Sequence, residues 1–117
     1  MFVSNTSFAN VAASQTDSNI ISALDGKIIS VIGGFAVVAG TATDVTFSSK
    51  GTGAGTAISS IIACGINGGL LMPLPAQQNT GEPPFGYFKT NKGEGLTVTT
   101  GAGASIVGIT ITYVTIG

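Results

Sequence analysis

The sequence predicts an all-β protein: a single-domain antiparallel β-sandwich, jelly-roll-like, with about eight strands. Three observations predict it. Apolar residues recur with a period near two, so side chains alternate between the faces of strands. Gly-rich or Asn-Gly turns interrupt the pattern at intervals of roughly ten residues. No window carries the apolar stripe of an amphipathic helix. A barrel is the other architecture that eight short antiparallel strands allow.

The elements follow in chain order. Residues 1–19 are the least patterned, with Phe2, Val3 and Phe8 as apolar points in a polar stretch. They read as an extended N-terminal arm, or an irregular first strand, that packs onto something, a neighbouring subunit included. Residues 20–117 read as the sandwich domain. A short apolar run over 20–24 leads into Asp25-Gly26, a hairpin signal in which both turn residues reach positive φ. The run over 27–39 puts Ile29, Val31, Phe35 and Val37 on one face and Ile28, Ile32, Ala36 and Val38 on the other. Both faces are apolar, which predicts a central strand buried on both sides. Gly33-Gly34 in its middle suggests a bulge or bend.

Residues 44–49 read as a half-buried strand with Val45 and Phe47 inward, and 51–55 as a Gly-rich loop. Alternation over 56–64 predicts one strand, and Asn67-Gly68-Gly69 a turn. Pro73 and Pro75 make the strand over 70–74 an edge or its end. A polar loop over 76–84, bounded by Pro75 and Pro83-Pro84, precedes a short aromatic strand over 85–90. After the turn over 91–95, a strand over 96–100 points Leu96 and Val98 inward. Gly101-Ala102-Gly103 reads as a hairpin turn before the final strand, 106–116, with Val107, Ile109, Ile111 and Tyr113 on one face.

Composition narrows the chemistry. Of 117 residues nine are charged, four Lys and five Asp or Glu, and there is no His, Arg or Trp. Without His there is no imidazole base, His-ligated metal or Ser-His pair, and an enzyme is not expected. A net charge of −1 gives no reason to approach nucleic acid. Apolar residues nevertheless make up 44% of the chain, enough for a real core. A surface this poor in charge and rich in Thr, Ser and Gly suggests cover by neighbouring subunits.

Localisation reads as cytoplasmic synthesis. The N-terminus lacks a basic region and an apolar core for a signal peptide. The apolar stretch over 28–42 is broken by Ser30, Gly33, Gly34 and Gly40 and is too short to span a membrane. The single Cys64 cannot form an intrachain disulfide, and it reads as a small core residue.

The candidate sites are few. The loop over 51–55 lacks the following helix and terminal Lys of a phosphate loop. Asp17, Asp25, Asp44 and Glu94 fall in turns or at strand starts, so no metal or cofactor site is expected. Phe85, Tyr87 and Phe88 form the one aromatic cluster. Phe88 reads as core; Phe85 and Tyr87 read either as a contact platform for a protein or glycan or as one face of a strand.

The order of several motifs carries a resemblance. They are ASQTD at 13–17, GKI at 26–28, DVTFSSK at 44–50, GTGAGTAIS at 51–59, NGG at 67–69, GYFKT at 86–90, GEGLTVTTGAG at 93–103, and VGI at 107–109 before Tyr113. In this the chain resembles a family of small phage virion proteins, the jelly-roll capsid decoration or cement proteins. The resemblance implies a structural protein of the outer capsid surface without enzyme activity. It also implies a homo-oligomer, a trimer, that clamps major capsid subunits together. A head-fibre base, or a tail-associated module that binds a receptor or glycan, is the alternative. The contacts expected on this basis are Phe2, Val3, Phe8, Phe85 and Tyr87, with the N-terminal arm adding a strand to a capsid loop or a sister subunit.

Overall fold

A computed structural model describes residues 4–73, 86–103 and 106–117. Among the described residues there is no helix, and the strands are β1 (Asn5–Val11), β2 (Ser18–Ile21), β3 (Ile28–Val38), β4 (Thr43–Lys50), β5 (Thr56–Ala57), β6 (Ile62–Cys64), β7 (Gly69–Met72), β8 (Phe88–Lys89), β9 (Gly95–Thr100) and β10 (Val107–Ile116). They form two antiparallel sheets packed on one core, a β-sandwich. Sheet A has the order β1-β10-β3-β7, and β8 pairs with β3 beside β7 along the same edge. Sheet B has the order β2-β9-β4-β5, and β6 likewise shares an edge of β4 with β5.

The period of two makes the core. Val11, Ile29, Val31, Ala36, Val38, Val107, Ile109 and Ile111 point inward from sheet A. They meet Ile20, Ile21, Val45, Phe47, Leu96 and Val98 from sheet B. Phe88, expected in the core, stacks on Phe47 with ring centroids 5.0 Å apart. Cys64 is buried in the same cluster.

Three expectations are corrected by local geometry. The first concerns Asp25-Gly26. Lys27 N–H donates to the Leu24 carbonyl at 3.1 Å, so the turn exists, but only Gly26 has positive φ, at 70°. A turn of this kind splays its flanking strands instead of pairing them. Accordingly β2 lies in sheet B and β3 in sheet A. The turn over 101–103 also joins strands of different sheets.

The second concerns β3. The bulge expected at Gly33-Gly34 is present, and it exchanges the faces of the strand. Opposite β10, Thr112 pairs with Gly33 and Tyr113 with Val31, so Ile32 is the extra residue. Ile29 and Val31 therefore share the core with Ala36 and Val38, while Phe35 and Val37 turn outward and are exposed. Gly34, two residues past Ile32, has no room for a side chain. Its φ is 144°, and a side chain there would run into the Thr110 carbonyl.

The third concerns residues 56–64, which divide into β5 and β6. Ile58 and Ser59 both donate main-chain N–H groups to the Phe47 carbonyl, at 2.9 and 3.3 Å. Phe47 N–H in turn donates to Ser59 Oγ at 2.9 Å, so a side chain replaces a strand carbonyl there.

Of the segment read as an arm or irregular first strand, residues 5–11 are β1, paired with β10 along its whole length. Residues 12–17 are fastened to β9. The Thr100 hydroxyl accepts from Gln15 N–H at 3.0 Å and donates to the Ala12 carbonyl at 2.7 Å.

Candidate interaction surface

The outer faces of the two sheets differ in chemistry. On sheet B one register row reads Asn19, Thr97, Ser48, Ala57, and the next pairs Thr99 with Thr46. On sheet A the corresponding row reads Phe8, Thr110, Phe35, Leu71, one residue from each strand. Phe8 is 76% exposed, Leu71 72% and Phe35 43%. Strand spacing makes this row about 14 Å long. The neighbouring row is Asn10, Gly108, Val37, Gly69, and its Val37 is also exposed. Outward positions on β1, β10, β3 and β7 carry no charged residue, because every Lys, Asp and Glu lies elsewhere in the sequence. Such an apolar patch, carried across four of the five strands of the sheet, marks a contact surface more often than a free one.

The residues expected to make contacts divide. Phe8 is in this row. Tyr87 is half-exposed but lies farther along β3, where its N–H donates to the Val31 carbonyl at 2.8 Å. Its hydroxyl donates to the Pro73 carbonyl at 2.7 Å, bridging the gap between β7 and β8. Phe2, Val3 and Phe85 lie outside the described residues. Phe35, Val37 and Leu71 were not anticipated. The available signal was the Gly33-Gly34 pair, since one bulge residue inverts the alternation that follows it.

The carboxylates serve the loops. Asp17 accepts from Gly55 N–H at 3.0 Å and from the Thr97 hydroxyl at 3.3 Å. Glu94 accepts from the Ser49 hydroxyl at 2.7 Å and from Asn91 Nδ2 at 3.1 Å. The glycines at 51 and 55 leave room for these groups. A side chain at Gly51 would meet Glu94 Oε2, and one at Gly55 would meet Asp17 Oδ1. This explains the Gly-rich loop without a phosphate. Among the described residues no three of His, Cys, Asp and Glu gather as metal ligands.

Two open recesses lie away from the apolar row. One, of about 410 Å³, is lined by Thr43, Asp44, Cys64 and small residues. The other, of about 300 Å³, lies beside Asp17, Lys50 and Thr97. Burial pushes the Cys64 thiol above its ordinary value, and the Asp44 carboxylate adds to the effect. The thiol is thus held protonated, the opposite of an activated nucleophile. Compared with protein-family models, with curated proteins and with solved structures, the chain matches none.

Proposed function

We propose that the chain is a structural virion protein: a decoration protein that seats on the outer surface of a phage head and holds major capsid subunits together. The observation that carries this reading is the uncharged row Phe8–Thr110–Phe35–Leu71 on the outer face of sheet A. Burying that row against a neighbour removes apolar area from water and desolvates no charge within the row, the exposed Lys89 of β8 lying farther along β3. Many such contacts on one particle add up through multivalency.

The strand order supports the jelly-roll reading. With β5 and β6 sharing one position and β7 and β8 another, the chain fills eight positions. It changes sheets at every step except from β4 to β5. Such alternation is what a jelly roll, common in viral capsid domains, calls for. In this reading the protein works as a homo-oligomer without catalysis, cofactor, nucleic acid or membrane. The half-exposed ring of Tyr87 favours the second reading, a tail or fibre module that stacks on a glycan.

The test is co-sedimentation with heads stripped of the chain. Wild type is expected to rebind, and a Phe8→Ser, Phe35→Ser, Leu71→Ser variant with an unchanged circular dichroism spectrum to lose most binding. Full binding by that folded variant would overturn the reading. Glycan-array signal abolished by Tyr87→Ala, together with absence from heads, would favour the second. Truncation is a poorer test, because removing β1 strips an edge strand from sheet A.

A further inference from the structure

Among the described residues the sandwich has four sheet edges, and three are short or broken. One edge of sheet B is β2, four residues long with a shift in its register. The other is divided between β5 and β6, of two and three residues. The far edge of sheet A is divided between β7 and β8, of four and two residues. The fourth edge is β1, seven residues in unbroken register with β10.

Proteins protect such an edge with a charge, a proline or a bulge, so that it does not pair with another chain. In β1, Asn5-Thr6-Ser7-Phe8-Ala9-Asn10-Val11, none of these is present. Its outer edge presents main-chain donors and acceptors from alternate residues. An unprotected edge of this length is suited to strand addition.

We infer that β1 pairs with β1 of a second copy of this chain, antiparallel about a two-fold axis through Phe8, to join two A sheets into one. The strand's own sequence selects this occupant. Phe8 is the central residue of β1, and a two-fold axis there sets position i against position 16 − i of the partner strand, as Phe8 faces its own copy. Phe8 then meets Phe8, outward Thr6 meets outward Asn10, and inward Ser7 meets inward Ala9. At these three central positions aromatic faces aromatic, polar faces polar and small faces small; the end pair sets Asn5 against Val11, and no pair carries a charge. An aromatic pair directly across two strands is among the stabilising cross-strand contacts.

The joined sheet also continues the apolar row. It becomes Leu71, Phe35, Thr110, Phe8 and then the same residues in reverse, across eight strands and about 34 Å. The inference rests on reading this face as an assembly surface and deepens it by naming the partner. It gives a two-fold dimer as the building unit where the family resemblance implies a trimer. The contact is a strand edge, at the small end of specific interfaces, so a dissociation constant in the micromolar range is expected.

Sedimentation velocity on the purified chain, over a concentration series reaching several hundred micromolar, tests the pairing. Wild type is expected to pass from monomer to dimer. Phe8→Lys and Phe8→Glu, each folded by circular dichroism, are expected to dimerise at least about tenfold more weakly, because each sets like charges against each other. Mixing the two variants is expected to restore the dimer. A second readout is oxidative cross-linking: Phe8→Cys should form a covalent dimer quickly, and the equally exposed Leu71→Cys should not. A wild type that stays monomeric, a trimer, charged variants that still dimerise, or equal cross-linking from residue 71 would each overturn the pairing. Head binding is read separately, so a dimer that ignores heads refutes the function alone, and a monomer that binds them refutes the pairing alone.

Discussion

Phe8 and Phe35 stand on either side of Thr110, each directly opposite it in antiparallel register and each facing solvent. They come from strands far apart in sequence, β1 and β3, which meet only through the C-terminal β10. Exposure of two phenyl rings in an uncharged row of the sheet gives the fold nothing and an interface a great deal. Single Phe8→Ala and Leu71→Ala variants should therefore keep their stability to within about 0.5 kcal/mol. Phe47→Ala, which empties the centre of the sandwich, should cost about 3–5 kcal/mol. Urea denaturation of the three variants gives the comparison.

Gly34 lies two residues past Ile32, the extra residue whose bulge turns Phe35 outward. Gly34→Ala places a methyl group against the Thr110 carbonyl at a backbone φ of 144°. The expected loss is about 2–4 kcal/mol, combining backbone strain with overpacking. Gly53→Ala, where an added methyl meets nothing within 4 Å, is the control and should change the denaturation midpoint little.

This bulge also marks the limit of what could be read from the sequence. The sandwich was legible because Val107, Ile109 and Ile111 alternate with Gly108 and Thr110, and such a strand has one sensible face. The alternation of β3 was equally clear, but a single unpaired residue, Ile32, inverts everything after it. Whether Gly33-Gly34 holds a bulge or a plain bend depends on the partner strand, 70 or more residues away. For that reason Phe35 and Val37 were assigned to a buried face, although both are exposed. Asp25-Gly26 shows the same limit. The turn was visible, but the sign of φ at Asp25, which decides between a hairpin and a sheet change, was not.

Asp17 fastens two loops to sheet B through Gly55 N–H and the Thr97 hydroxyl. Asp17→Ala leaves Gly55 N–H without its acceptor, while the Thr97 hydroxyl keeps the Ser48 carbonyl at 3.4 Å, and should cost about 1–2 kcal/mol. Asp44→Ala, at an exposed position, should cost less than about 0.5 kcal/mol. Thermal melts of the two variants at neutral pH distinguish these roles.

Cys64 should resist a thiol reagent in the folded protein and react at once in denaturant, because burial both hinders access and raises its proton affinity. The raised value also fixes the sign of a pH effect. The unfolded chain loses the thiol proton first as the pH climbs, so the Cys64 contribution is fully present below the ordinary thiol value and is lost above it. Cys64→Ala should remove that alkaline component of the denaturation profile.

The central claim is that the outer face of sheet A is an assembly surface of a virion. Cryo-electron microscopy of purified particles that carry the chain tests it most directly. The account predicts density for the sandwich on the outer head shell, with Phe8, Phe35 and Leu71 covered by a neighbouring chain. Sandwiches whose row Phe8–Phe35–Leu71 faces open solvent, or heads without the chain, would contradict it.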